Sequence, residues 1–432
     1  MALGGYGTGY YGQGYYGVDD DIPIELAETR GAVCIVEIQV AAVSTDSPYF
    51  TLGSDALGTG VLGPDGGEWL DISEHVVELS TAAGRSSELD PVDVGKATLV
   101  LDNADGQVDP LFSPLQAYLR AGNPIRIRGE VAGEDFPIWF GTIEDVDFEL
   151  GYSPTVTLSC VDLLAALGGA ELAELPAAQY ESDLPGARLA RVLDVVGFDL
   201  SRAELAAGSA VLASTVWGEA ALATAQKIAM TEDGLLFPSA YGTLVFYGRD
   251  ALLTRPRSVT AQAYFSDLPG VAKIEYEALR ATYSLRTVWN DWTVKIPSGV
   301  EVNQYDQASI DRNRRRSQSR ETYHLDDSGA TGLAARLVRY FKDLTLRFES
   351  ISTNVAGQPD QAALILGLTM WDMAHVARHY VAGTVSQQAV VQGISHRVTR
   401  DSWTCEFNLT TVPTPAEMFR LGSGRLDVNA LG

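Results

Sequence analysis

The chain has 432 residues, enough for about three domains of ordinary size, and its 46% apolar and 20% charged residues are those of a folded globular protein. Its formal net charge of −25 argues against wrapping nucleic acid, which needs lysine and arginine in surplus. There is no apolar run long enough for a membrane-spanning helix.

The first stretch, Gly5 to Gly17 (GYGTGYYGQGYYG), fits the dinucleotide-binding pattern G-x-G-x-x-G twice. That loop works only between a buried strand and a helix N-terminus. Here only Met1 to Gly4 precede it, and Asp19, Asp20 and Asp21 follow, whose charges would repel a pyrophosphate. A third match, Gly58 to Gly63, runs into Pro64 and Gly66-Gly67, which make a turn. No cofactor is expected. Residues 1–21 read as an arm: glycine leaves the backbone free until something binds it, and Tyr6, Tyr10, Tyr11, Tyr15 and Tyr16 supply contact area for a neighbouring subunit. The N-terminus lacks the basic and apolar regions of a secretory signal. Cys34, Cys160 and Cys405 each sit in an apolar strand-like run. They read as buried free thiols of a protein made in a reducing cytoplasm.

Residues 22–170 alternate with period two. Cys34, Val36, Ile38 and Val40 share one face, as do Ala97, Leu99 and Leu101, then Ile125 and Ile127, then Val156, Leu158 and Cys160. Strands apolar on one side belong to antiparallel sheets or small barrels. Asp162 to Leu167 predicts a short closing helix. Residues 171–255 change texture: Leu189, Val192, Leu193 and Val196, then Leu222, Ala225, Ile228 and Ala229, recur at helical spacing. Leu235-Leu236-Phe237 and Leu244 to Tyr247 flank a turn at Gly242 and predict a hairpin. This is a small α+β module. Across 256–420 alternation returns, with strands expected at Ala272 to Tyr276 and Tyr283 to Val294. A helical insertion at about 305–370 carries Leu333, Leu337, Tyr340 and Phe341 on one face. A final hairpin turns at Asp401-Ser402, with Trp403, Cys405, Phe407 and Leu409 facing inward, and residues 421–432 form a tail. The fold class is thus mainly β with an α+β module between two β regions.

Chemistry is sparse. His375 and His379 would suit zinc on a helix, but Val376 stands where a metallopeptidase needs its glutamate, and the local alternation suits a strand that separates the rings. No metal is expected. Glu88 and Asp90 are the nearest thing to a glycosidase pair, and no apolar residues beside them raise a carboxyl's pKa. Neither a G-x-S-x-G elbow nor a Cys-His neighbour occurs, so no catalytic residue is assigned. Asp311 to Arg320 is the one basic cluster, with Arg312, Arg314, Arg315 and Arg316 at its centre. Without interleaved aromatics it is expected to pair with acidic surface, on this chain or a neighbour, rather than to hold nucleic acid.

Gly84 to Asp90 (GRSSELD), Val94 to Asn103 (VGKATLVLDN) and Asp105 to Pro110 (DGQVDP) together resemble minor tail proteins of actinobacteriophages. Pro124 to Arg128, Trp139 to Glu144 and Ser159 to Ala165 are similar to that family's next strands and closing helix. Val391 to His396 and Ser402 to Phe407 are similar to its last hairpin. Val108 departs from the usual aromatic of the turn, and Asn313-Arg314 stands where related hubs tend to have Tyr-Gly. The resemblance implies a siphophage tail hub, a homotrimer whose chains each carry two tail-tube-like β-barrel domains with other domains between. It implies a place in the virion beside the distal tail protein, the tape measure protein and downstream tail-tip or fibre proteins. DNA would transit without specific binding, and no membrane insertion is implied. A cell-wall or glycan hydrolase and a receptor-binding module are the rival readings.

Overall fold

The computed structural model describes residues 31–41, 67–149, 154–170, 172, 182–215, 220–270 and 273–411, with two short paired strands at Met418–Phe419 and Ala430–Leu431. The glycine-tyrosine arm and its five tyrosines lie outside the described residues, as does most of the C-terminal tail.

Among the described residues of the first β region, the period-two stretches become strand. It folds into β1 (Ala32–Ala41), β2 (Gly67–Asp71), β3 (Val76–Gly84), β4 (Asp93–Asp102), β5 (Pro124–Val131), β6 (Glu134–Asp147) and β7 (Thr155–Val161). All pair antiparallel, in the order β2-β1-β5-β6-β7-β4-β3. Ile125 and Ile127 of β5 point into the core, while Arg126 and Arg128 between them clamp Glu37 of β1 at 2.7 and 3.1 Å. The helix α1 (Leu164–Gly168) closes the region. Asp162 anchors it, accepting from the Gly95 amide at 2.7 Å and the Leu164 amide at 2.9 Å. Gly95 must be glycine, because a methyl group would run into that carboxylate.

The middle module builds α2 (Pro185–Val195), β8 (Ala203–Leu205), α3 (Ala221–Glu232), β9 (Leu235–Pro238) and β10 (Leu244–Tyr247). Pro185 opens α2 at a position where its missing amide costs nothing. The helices bury Leu189, Val192, Leu193, Ala225 and Ile228 against the predicted hairpin, to which β8 adds a parallel strand.

The second β region begins with the single turns α4 (Ala251–Thr254) and α5 (Pro256–Val259), then β11 (Ala261–Ser266) and β12 (Ala278–Thr282). An insertion follows: β13 (Asp291–Lys295), β14 (Glu301–Tyr305), α6 (Gln307–Asn313), β15 (Ser317–Glu321) and α7 (Asp327–Phe341). Asp326 caps α7 through the Gly329 amide, and Leu333, Leu337 and Phe341 pack with Trp292 and Val294 into a separate small core. The chain returns as β16 (Arg347–Asn354), α8 (Ala362–Leu366), β17 (Met373–Tyr380), β18 (Gly383–Thr399) and β19 (Ser402–Thr411).

Two sequence expectations fail here. Lys273 to Glu277 is not a strand, Ile274 making only a single bridge to Phe265. Nor does strand run from Tyr283 to Val294. The Ser284 hydroxyl accepts from the Arg286 amide and starts a 3-10 turn at Leu285–Thr287, so β13 begins only at Asp291 and in a different sheet. Alternation reports which face is buried, not that a ladder continues.

β18 is 17 residues long and joins everything. It pairs with β17 in its first half, with β19 in its second, and with β3 of the first region from Gly393 to Thr399. The two β regions therefore share one 13-stranded sheet and one hydrophobic core. No closed barrel forms among the described residues.

Candidate functional site

The GRSSELD segment leaves the end of β3 at this join. Gly84 has φ +95°, and a methyl group there would meet the Gln392 carbonyl and come within 2.6 Å of Gly393 Cα. Only glycine lets the two backbones approach so closely. The Arg85 amide donates to the Gln392 carbonyl at 2.9 Å, its Nε to Gln392 Oε1 at 2.8 Å, and the Asn408 side chain donates to the Arg85 carbonyl at 3.3 Å. β18 bulges at the same point, between Val391 and Gly393. Two segments 307 residues apart, both singled out by the resemblance, thus form one seam.

Behind the seam, Trp403 Nε1 donates to His396 Nδ1 at 3.3 Å, with Cys405 Sγ 3.0 Å from the same nitrogen. Burial pushes His396 down to about 4, so the ring stays neutral and keeps that acceptor. Burial pushes the Cys34 and Cys160 thiols up to about 12, and the three cysteines are free and buried, as expected.

In front of the seam lies a cavity of about 420 Å³, where the sheet, the middle module and the insertion meet. Glu88 enters it from the GRSSELD loop and pairs with Arg347 of β16 at 2.7 Å. Asp233, the left-handed cap of α3 at φ +59°, reaches in from the module and meets Arg320 of β15 at 3.3 Å. Desolvation pushes the Glu88 carboxyl up, and the Arg347 and Arg85 charges oppose it. The sequence gives no apolar surroundings for Glu88, yet the cavity has them: Leu252, Leu337, Tyr340, Phe341 and Trp371 come from far along the chain. Asp90, however, is exposed and lines a different depression, beside Lys227 and Trp292. Glu88 and Asp90 do not converge on one space.

His375 and His379 lie on the strand β17 rather than on a helix. The Tyr264 ring packs against His375 at 5.7 Å, and His379 Nδ1 meets Asp267 at 2.6 Å. No group of three metal-binding side chains occurs among the described residues.

The basic cluster splits into separate pairings. Arg312 on α6 meets Asp343 at 2.9 Å, and Arg315 meets Asp291 at 2.8 Å. Arg316 donates to the Val288 carbonyl at 3.0 Å. Aromatics missing from the local sequence arrive through folding: Tyr305 under Arg315 at 5.2 Å, Trp289 under Arg316 at 5.6 Å and Trp292 under Arg320 at 5.8 Å. Arg312, Arg314 and Arg315 remain at the surface. Arg314 itself has φ +63° and ψ 162°, a conformation that is essentially glycine's.

Large apolar side chains stand out at two tips. Leu111 and Phe112 follow the DGQVDP turn, Phe112 being 85% exposed, and Tyr380 and Val381 crown the β17–β18 hairpin.

The sequence matches no protein-family model and no curated protein. Its fold is similar to that of solved tail proteins, one of them from a prophage. The tail protein from Neisseria meningitidis covers 88% of this chain and 96% of its own length, at TM-score 0.56 and 12% identity. The 43 kDa tail protein of prophage MuSo2 from Shewanella oneidensis covers 87% and 97%, at TM-score 0.54 and 13% identity. The chain has the fold of these tail proteins over nearly all its length.

Proposed function

We propose that this chain is a non-enzymatic structural subunit of a siphophage tail tip, a hub joining the tail tube to the adsorption apparatus and forming part of the DNA channel. What carries the reading is the whole-length likeness to tail proteins, which spans the sheet, the module and the insertion together. The two halves of the sheet, joined at β3 and β18, are the two tube-like units of the proposal. Three copies would then present six such units to a sixfold tube and a threefold face below. Phe112, Tyr380 and Val381 are the kind of exposed apolar anchors that subunit contacts use. The arm of residues 1–21 would dock on a neighbouring copy, and the distal tail protein and tape measure protein are the proposed contacts above and within the ring. At a net charge of −25 the chain would let DNA pass without holding it.

The hydrolase alternative loses the one acid pair the sequence offered, and Asp233, which does share a cavity with Glu88, is paired to Arg320. Glu88 is engaged by Arg347, and Asp90 faces elsewhere. Quantitative mass spectrometry of purified virions tests the proposal. The expected result is about three chains per particle; a chain confined to the lysate and absent from virions would overturn it. Zymography of the folded protein on host cell wall should show no clearing.

A further inference from the structure

The cavity in front of the seam is more positive than the rest of the molecule. Arg85, Arg249, Arg320, Arg336 and Arg339 line it against Glu88, Asp233 and Asp250, a surplus of two positive charges in a chain whose net charge is −25. Two of its three carboxylates are engaged, Glu88 by Arg347 and Asp233 by Arg320, and Arg249 pairs with the buried Glu232 at 3.5 Å. Arg336 is left over. Its Nε and Nη2 are shielded from solvent and make no hydrogen bond, the nearest carboxylate oxygen, on Asp233, lying 3.8 Å away. That distance is too long for a hydrogen bond, and two shielded N–H groups without acceptors on an otherwise partly exposed guanidinium are unfavourable. The positive field registers on a neighbour: besides burial, Arg249 and Arg336 hold His324 down at about 4. Among the arginines, Leu252, Leu337, Phe341 and Trp371 supply an apolar part of the lining.

We propose that this cavity binds an organic oxyanion, a carboxylate or phosphate group carried on a small apolar or aromatic body. The head group accepts from the guanidinium of Arg336, whose planar fork matches two oxygens. The body lies against Trp371 and Phe341. A space of 420 Å³ falls within the roughly 300–1,000 Å³ of small-molecule sites. Because sheet, module and insertion all contribute lining residues, a bound anion also fastens the three together. The site stands apart from the proposed virion role and can fail without it.

Calorimetry on the full chain at constant ionic strength tests this with three probes: phenyl phosphate, benzoate and inorganic phosphate. Phenyl phosphate or benzoate should bind saturably, one per chain, and inorganic phosphate about tenfold more weakly than phenyl phosphate because it cannot use the apolar lining. Arg336→Gln should weaken binding by at least about tenfold, and Arg336→Lys by less, since charge remains while the fork is lost. Arg280→Gln, on the exposed face of β12 and paired to Glu349, should change nothing. If circular dichroism shows that Arg336→Gln does not fold, Arg336→Lys alone locates the site. No saturable binding of either organic probe by about 10 mM, equal affinity for inorganic and phenyl phosphate, or unchanged affinity in the folded Arg336 variants would overturn the proposal.

Discussion

The seam and the insertion are both joints between distant parts of this chain, and they differ in how much backbone and how many charged side chains they use. At the seam, backbone meets backbone: β3 lies on β18 over seven residues, Gly84 has no room for a side chain, and Trp403, Phe407 and Leu79 fill the core beneath. The insertion has its own small core around Trp292 and Leu337. It meets the module through charged side chains, Arg320 to Asp233 and Lys227 to Glu321, and through one short backbone stretch, where Ala213 donates to the Tyr323 carbonyl at 2.7 Å and Leu325 to the Val211 carbonyl at 2.9 Å. A backbone joint excludes water and tolerates no substitution. A joint of long side chains can loosen without the sheet noticing.

The sharpest way to break this contrast is at Gly84. Gly84→Ala places a methyl group against two backbone segments at a φ that side chains avoid, and should cost roughly 3 kcal/mol. Denaturant melts of the variant and wild type measure it. The insertion counterpart, Arg320→Leu, leaves Asp233 with a weaker partner at a third-exposed site and should cost about 1–2 kcal/mol. Native-state hydrogen exchange should then show insertion amides opening in Arg320→Leu while those of β18 and β19 stay protected. Equal loss of protection in both would mean the two joints are one cooperative unit.

Acidity sharpens the comparison, because His396 lies behind the seam and His324 beside the insertion. Both are held near 4, so the folded state refuses a proton that the unfolded chain takes up below about 6.5. Their stabilisation is complete above that range and is lost as pH falls toward 4. Asp162 acts in the opposite sense. Burial pushes it up to about 7, so its contribution is present at low pH and lost as pH rises through 7. The balance should be a loss of about 1 kcal/mol between pH 6.5 and 5.5, and His324→Gln should nearly flatten that slope. Thermal melts across the range check the sign.

Smaller effects belong to the surface. Arg314→Gly relieves the glycine-type backbone at φ +63° and should stabilise the chain by about 1 kcal/mol, unless the arginine makes contacts in an assembly. Lys227→Ala removes a 3.4 Å pair with a largely exposed Glu321 and should change stability by less than about 0.5 kcal/mol.

Much of the core was legible beforehand, since Cys34, Leu99, Ile127, Leu158 and Cys405 all alternate with polar neighbours and all are buried. Both helices and the hairpin of the module were legible for the same reason, their period matching the face they bury. What alternation cannot carry is partnership. Nothing in residues 76–84 says that their neighbour is 393–399, because that choice rests on two glycines allowing close approach. Nor could Tyr283 to Val294 reveal that a serine hydroxyl ends the strand. The cavity was invisible because its walls come from nine separate stretches of chain, and the aromatics under the arginine cluster because Trp289 and Tyr305 precede it.

The central claim is that this chain is a ring-forming part of a tail tip. Cryo-electron microscopy of purified virions tests it most directly. The account predicts three copies around the tail axis, each giving two sheet halves to the wall of a channel and placing Arg312, Arg314 and Arg315 away from the lumen. A particle whose tip lacks this chain, or holds it as a single peripheral copy off the axis, would contradict it.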